Sequence, residues 1–106
     1  MALYLFHGSY TADGTKGLLK DGGSKRRDVV RKMFEQAGGK LHQLYYAFGD
    51  DDVYVIAEVP DSLTALAMSL TVNATGAVHL KTTALVTPED VDAAAKKSVA
   101  YTKPGA

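Results

Sequence analysis

Between Leu41 and Val59 the chain reads LHQLYYAFGDDDVYVIAEV, two strand-like runs separated by Gly49-Asp50-Asp51. Turn residues between apolar runs of alternating pattern are the strongest short-range signal of a β-hairpin. With these three residues as the loop, Phe48 faces Asp52, Tyr46 faces Tyr54, Leu44 faces Ile56 and His42 faces Glu58. The other face then carries Leu41, Gln43, Tyr45, Ala47, Val53, Val55, Ala57 and Val59. Neither face is a water face, so the hairpin needs cover on both sides.

The flanking segments supply cover for one of them. Ala2 to Ser9 alternates as a strand, with Leu3, Leu5, His7 and Ser9 on one side. Tyr10 to Gly23 reads as a connection rich in glycine, with Leu18 and Leu19 docking a short turn. Ser24 is the expected N-cap of a helix whose stripe is Val29, Val30, Met33, Phe34 and Ala37, ended by Gly38-Gly39. Pro60-Asp61-Ser62 opens a second helix with Asp61 or Ser62 as cap and Leu63, Leu66, Ala67, Leu70 and Ala74 as its stripe. Met68 and Val72 leave that helix apolar beyond the stripe. Ala77 to Val86 is a fourth strand, and Thr87-Pro88-Glu89-Asp90 has the chemistry of a helix start. Val91, Ala94 and Ala95 mark the expected buried side of that last helix.

Strand, helix, strand, strand, helix, strand, plus a C-terminal helix, is the α+β, ferredoxin-like βαββαβ plan in a single domain spanning residues 1–106. The first strand then lies between the third and fourth, antiparallel to both. One helix layer covers one sheet face. The other gathers Leu3, Leu5, Leu44, Tyr46, Tyr54, Ile56 and Leu85, and the simplest cover is a second copy. A homodimer through the helix-free sheet face, a dimeric α/β barrel, is the expected assembly.

Charge narrows the partners. Twelve basic residues balance twelve acidic ones, so no global field favours nucleic acid or an anionic membrane. With no cysteine there is neither a disulfide framework nor thiolate chemistry. The apolar run at the N-terminus is too short for a signal core or a span, and a cytoplasmic location is expected.

The chain also resembles the GYD-domain family, which is similar to the dimeric α/β-barrel group. The resemblance rests on Ser9-Tyr10-Thr11, Gly14, Gly17-Leu18-Leu19, Gly38-Gly39, Tyr45-Tyr46, Phe48-Gly49 with Asp52, Pro60-Asp61, Gly76, Thr82-Thr83, Thr87-Pro88-Glu89 and Pro104-Gly105. Asp51 stands where the naming motif has tyrosine. The resemblance implies the barrel, and its fold relatives range from cofactor-free oxygenases to isomerases and ligand binders.

Side chains able to do chemistry share the parity of the barrel interior. His7, Tyr54 and His79 gather at one end and His42 with Glu58 at the other, while Tyr46 and Lys81 share the same face. Tyrosines would line a cavity for a small aromatic or carbonyl-bearing ligand, while histidine, the side chain that titrates near neutral pH, would move protons. His42 and Glu58 are the catalytic candidates; His7, Tyr46, Tyr54, His79 and Lys81 are the ligand-binding ones. No metal is expected, because the histidines lack ligand spacing, and any catalysis is expected to need no cofactor. Ser9 and Ser24 lack the motif of an activated serine. Gly22 to Arg27 reads as a solvated basic helix start, with a bound anion as the alternative, and Asp50-Asp51-Asp52 equally well as an exposed acidic turn or as a place that attracts a cation. An assembly or regulatory module, whose polar face only specifies the dimer, is the competing class of function.

Overall fold

A computed structural model describes all 106 residues. The order is β1 (Ala2–Tyr10), α1 (Ala12–Asp21), α2 (Gly23–Gln36), β2 (Lys40–Tyr46), β3 (Val53–Val59), α3 (Ser62–Ala74), β4 (Val78–Leu85) and α4 (Pro88–Ala95). The strands form one sheet in the order β2-β3-β1-β4, with every neighbouring pair antiparallel. This is the ferredoxin-like arrangement, with α1 and α4 added. No helix is long and apolar enough to cross a membrane.

The core lies on one face of the sheet. Tyr4 and Phe6 from β1 and all four alternate residues of β3, from Val53 to Val59, are buried there under Phe34, Ala65 and Met68. The Phe6 and Phe34 rings meet with centroids 5.4 Å apart. On α2 the expected stripe packs inward through Val30, Met33, Phe34 and Ala37, while Val29 is exposed.

Several sequence expectations are corrected. The glycine-rich connection is a ten-residue helix, α1, capped by Thr11, whose side chain accepts from the Gly14 N–H. Gly14 is glycine for a packing reason: a Cβ there would run into the Ala77 carbonyl oxygen. Leu19 does not dock but is exposed. Helix α2 begins at Gly23 rather than after a Ser24 cap; Gly22, at φ 83°, precedes it with no side-chain cap. Asp61 does cap α3, accepting from the Thr64 N–H. That helix, however, is turned from the expected stripe: Ala65 and Met68 are buried, whereas Leu63, Leu66 and Leu70 face outward. Both stripes are apolar, and small Ala65 lets the helix sit close to the sheet.

Helix α4 has the full capping box, Thr87 accepting from the Asp90 N–H and Asp90 from the Thr87 N–H. The expected burial of Val91, Ala94 and Ala95 is not seen, since no residue of α4 is buried. All residues from Val86 to Ala106 are exposed. Thr87→Ala should therefore cost about 1 kcal/mol of local helix stability. It should appear as faster amide exchange across α4 with an unchanged melting temperature. A matching fall in the global melt would mean that the helix is docked in solution.

The hairpin departs furthest from its expected register. Tyr46 pairs with Val53, Tyr45 with Tyr54, Leu44 with Val55 and Gln43 with Ile56, after which a bulge at His42 restores Leu41 opposite Ala57. A one-residue slip moves each side chain to the other face. Gln43 and Tyr45 thus lie on the helix-free face, and Leu44 and Tyr46 on the helix side. The loop is longer than the three residues expected, closed by the Ala47 N–H donating to the Asp52 carbonyl at 2.7 Å.

Candidate functional site

The extra loop length lets the acidic residues reach back to β1. Asp52 is held twice: its N–H donates to the Gly8 carbonyl at 2.8 Å, and its carboxylate accepts from the Tyr10 N–H at 2.9 Å. Ser9 Oγ donates to the Asp50 carbonyl at 2.7 Å. Asp51, carried between these anchors, is not an exposed turn residue as its composition suggested. It is 7% exposed and the one charged residue in the buried set.

Its carboxylate sits among donors. His7 Nδ1 lies 2.7 Å from Asp51 Oδ2, and Lys81 Nζ 3.0 Å from Oδ1. Ser9 Oγ is 3.4 Å from the same Oδ1. The His7 hydrogen bond, then the Lys81 one, hold the Asp51 carboxyl below its ordinary value. A buried carboxylate needs such partners, and β1 and β4 supply them because His7 and Lys81 are register neighbours.

A carboxylate can only accept, so Nδ1 of His7 is the donor to Asp51, and in the neutral imidazole that tautomer puts the lone pair on Nε2. Nε2 lies 3.4 Å from Thr83 Oγ1 on the helix-free face. The Tyr54 ring lies parallel to the imidazole, 3° between planes and 5.9 Å between centroids. An oriented imidazole, a neighbouring ammonium and a flat aromatic ring make a place where a planar ligand can stack and exchange a proton.

The other sequence-derived residues distribute as follows. His42 Nε2 and Glu58 Oε1 are 3.6 Å apart at the far end of the same face, each side chain 36% exposed. His79 is on this face as the register partner of Ser9 and is exposed. Tyr46 is not: its hydroxyl donates to the Gly23 carbonyl at 3.0 Å on the helix side. No three His, Cys, Asp or Glu side chains converge. A half-exposed pair such as His42–Glu58 is worth under ~1 kcal/mol. Glu58→Gln should therefore shift the urea unfolding free energy by less than that amount. A loss of several kcal/mol would mean that a partner desolvates the pair.

Fold and cluster together define a ferredoxin-like α+β domain with an acid–imidazole pair on its uncovered sheet face. The GYD domain profile matches residues 4–95, and the chain belongs to that family. No curated protein and no solved structure matches it.

Asp51, Ser9 and Thr83 were missed by sequence reasoning. The signal was available for Asp51: three consecutive acids lead into β3, whose neighbour β1 carries His7 beside Lys81 of β4, both with cationic or protonatable nitrogen.

Proposed function

We propose that this GYD-domain protein is a small-ligand-binding dimeric α/β barrel that transfers a proton on an aromatic, carbonyl-bearing compound without a cofactor. The observation that carries this reading is the Asp51–His7 pair, 2.7 Å apart, which in the neutral imidazole turns the Nε2 lone pair, with only the Thr83 hydroxyl at 3.4 Å, toward the face that carries the parallel ring of Tyr54. In this reading the ligand ring stacks over Tyr54 and a carbon next to the carbonyl gives its proton to Nε2. Lys81 Nζ, which uses one donor on Asp51 and is largely exposed, meets the oxygen as it gains charge. Return of the proton from His7 to the same or a neighbouring position completes an exchange or tautomerisation. A second copy laid on the helix-free face would exclude water from the site and cover Leu3, Leu5 and Ile56, none of which is buried in one chain.

Phenylpyruvate, an enolisable aromatic keto acid, tests the chemistry. In deuterium oxide the protein should exchange its methylene protons faster than buffer alone, read by proton NMR. His7→Gln should lower the protein-dependent rate by roughly a hundredfold or more, the usual worth of a general acid–base. Exchange at the buffer rate with wild-type protein, for phenylpyruvate and for simple aryl ketones alike, would sink the catalytic reading. An assembly module without catalysis is the second reading, favoured by the outward Leu63, Leu66 and Leu70 of α3.

A further inference from the structure

We propose a second ligand site on the opposite side of the sheet: the cleft between α2, α3 and the strands binds a small apolar carboxylate, an aromatic or branched-chain acid, with its carboxylate on Arg26. The cleft is a cavity of about 140 Å³, and Arg26 is the single charged residue among the 15 that line it. Its walls come from both helices and from the sheet, among them Val30, Met33, Leu44, Val72 and Leu80.

Size and polarity fix the tail of the ligand. An apolar cavity of about 150 Å³ stays dry and accepts a benzene ring, so a space of this kind favours one ring or a short branched chain. Charge fixes the head. On α2, Lys25 pairs with Asp21 and both Arg27 and Arg31 with Asp28; Arg26 and Lys32 have no ion-pair partner, and of those two Lys32 is exposed to solvent while Arg26 lies at the cavity. Arg26 is also only partly exposed, which makes it costlier to leave unpaired than a solvated surface cation. A guanidinium at the edge of an apolar cavity matches a carboxylate in two parallel hydrogen bonds.

Tyr10 and Tyr46 line the same cavity. Burial pushes both phenols above their ordinary value, and the Arg26 charge acts in the opposite direction at each. The field of Arg26 therefore reaches the walls where the ligand would lie. The bulge at His42 is what makes this cavity: it turns Leu44 and Tyr46 to the helix side and supplies its outer wall.

Titration with phenylacetate, followed by nitrogen–proton NMR, tests the site, with phenylacetamide as the neutral isostere. Phenylacetate should shift the amides of Val30, Leu44 and Leu80 and bind roughly ten- to a hundredfold tighter than the amide. Arg26→Met should remove that preference while leaving the fold intact. Val72→Phe, or Val29→Phe at the more open wall should the first not fold, should abolish binding of both compounds. His7→Gln should still bind phenylacetate, which separates this site from the one on the other face. Equal binding of acid and amide, no shifts at millimolar ligand, shifts confined to the helix-free face, or an unchanged preference in Arg26→Met would each overturn the proposal.

Discussion

Ile56→Asp should leave the chain folded but unable to dimerise. Ile56 sits on the helix-free face of β3, beside Leu5 in the neighbouring strand, and is only partly covered within one chain. A carboxylate there can reach water in the monomer, so the fold should lose little. In a barrel closed by a second copy the same carboxylate would be enclosed without a partner, which costs several kcal/mol. Light scattering should move from twice the chain mass to the single-chain value of 11.3 kDa, with the far-ultraviolet spectrum unchanged. A variant that still scatters as a dimer would mean that the copies meet elsewhere, with the outward leucines of α3 the next surface to examine. A wild-type protein that is already monomeric at micromolar concentration would remove the barrel and leave the His7 site open to solvent.

What the sequence made legible was local chemistry and parity. Asp61 and Thr87 were readable as caps because a cap needs only a side-chain oxygen three residues before a free N–H. The order of strands and helices, and the central place of β1, followed from alternation and the short connections. The side of the sheet carrying His7, Tyr54 and Lys81 followed from the same alternation. These features depend on neighbours in the chain.

Where the reading failed, the deciding interaction was distant. The register of β2 is set by a loop whose acids bind β1, some forty residues earlier in sequence, and by the bulge at His42. Nothing within the hairpin itself distinguishes that longer loop from the tight one. The rotation of α3 was equally hidden, since Leu63, Leu66 and Leu70 are as apolar as Ala65, Met68 and Val72. Periodicity finds an apolar stripe but cannot choose between two. In α1 the glycines looked like punctuation, yet Gly14 serves a close approach to the Ala77 carbonyl. His7 and Lys81 meet at Asp51 with Tyr54 against the imidazole, His42 and Glu58 lie together at the other end of that face as their parity implied, and Tyr46, carried by the shifted register, lines the other side.

Asp51→Asn should separate the structural role of the loop from its role at His7. In the folded chain the Asp51 carboxyl is held below the ordinary aspartate value of 3.8, so it stays ionised to lower pH than it does when unfolded. Its contribution to stability is then complete above about pH 5 and is lost as the pH falls through about 4 and below. A carboxamide in its place cannot titrate, so the variant should lose stability at neutral pH and show a flatter decline on acidification. Asp61, lowered by the Thr64 N–H and hydroxyl at the start of α3, should retain its share of the acid sensitivity and serves as an internal control. The effect on chemistry should be larger than that on stability. An amide can offer its NH₂ group to Nδ1 and so select the tautomer with the proton on Nε2, which cannot accept one from a ligand. Proton exchange from phenylpyruvate should therefore fall by roughly 10²–10⁴, as it does when an orienting carboxylate is replaced in other acid–base sites. Denaturation from pH 3 to 7 and the exchange rate at neutral pH, measured on the same protein samples, give both results. An exchange rate equal to that of wild type, with the acid stability altered as expected, would confine Asp51 to anchoring the loop.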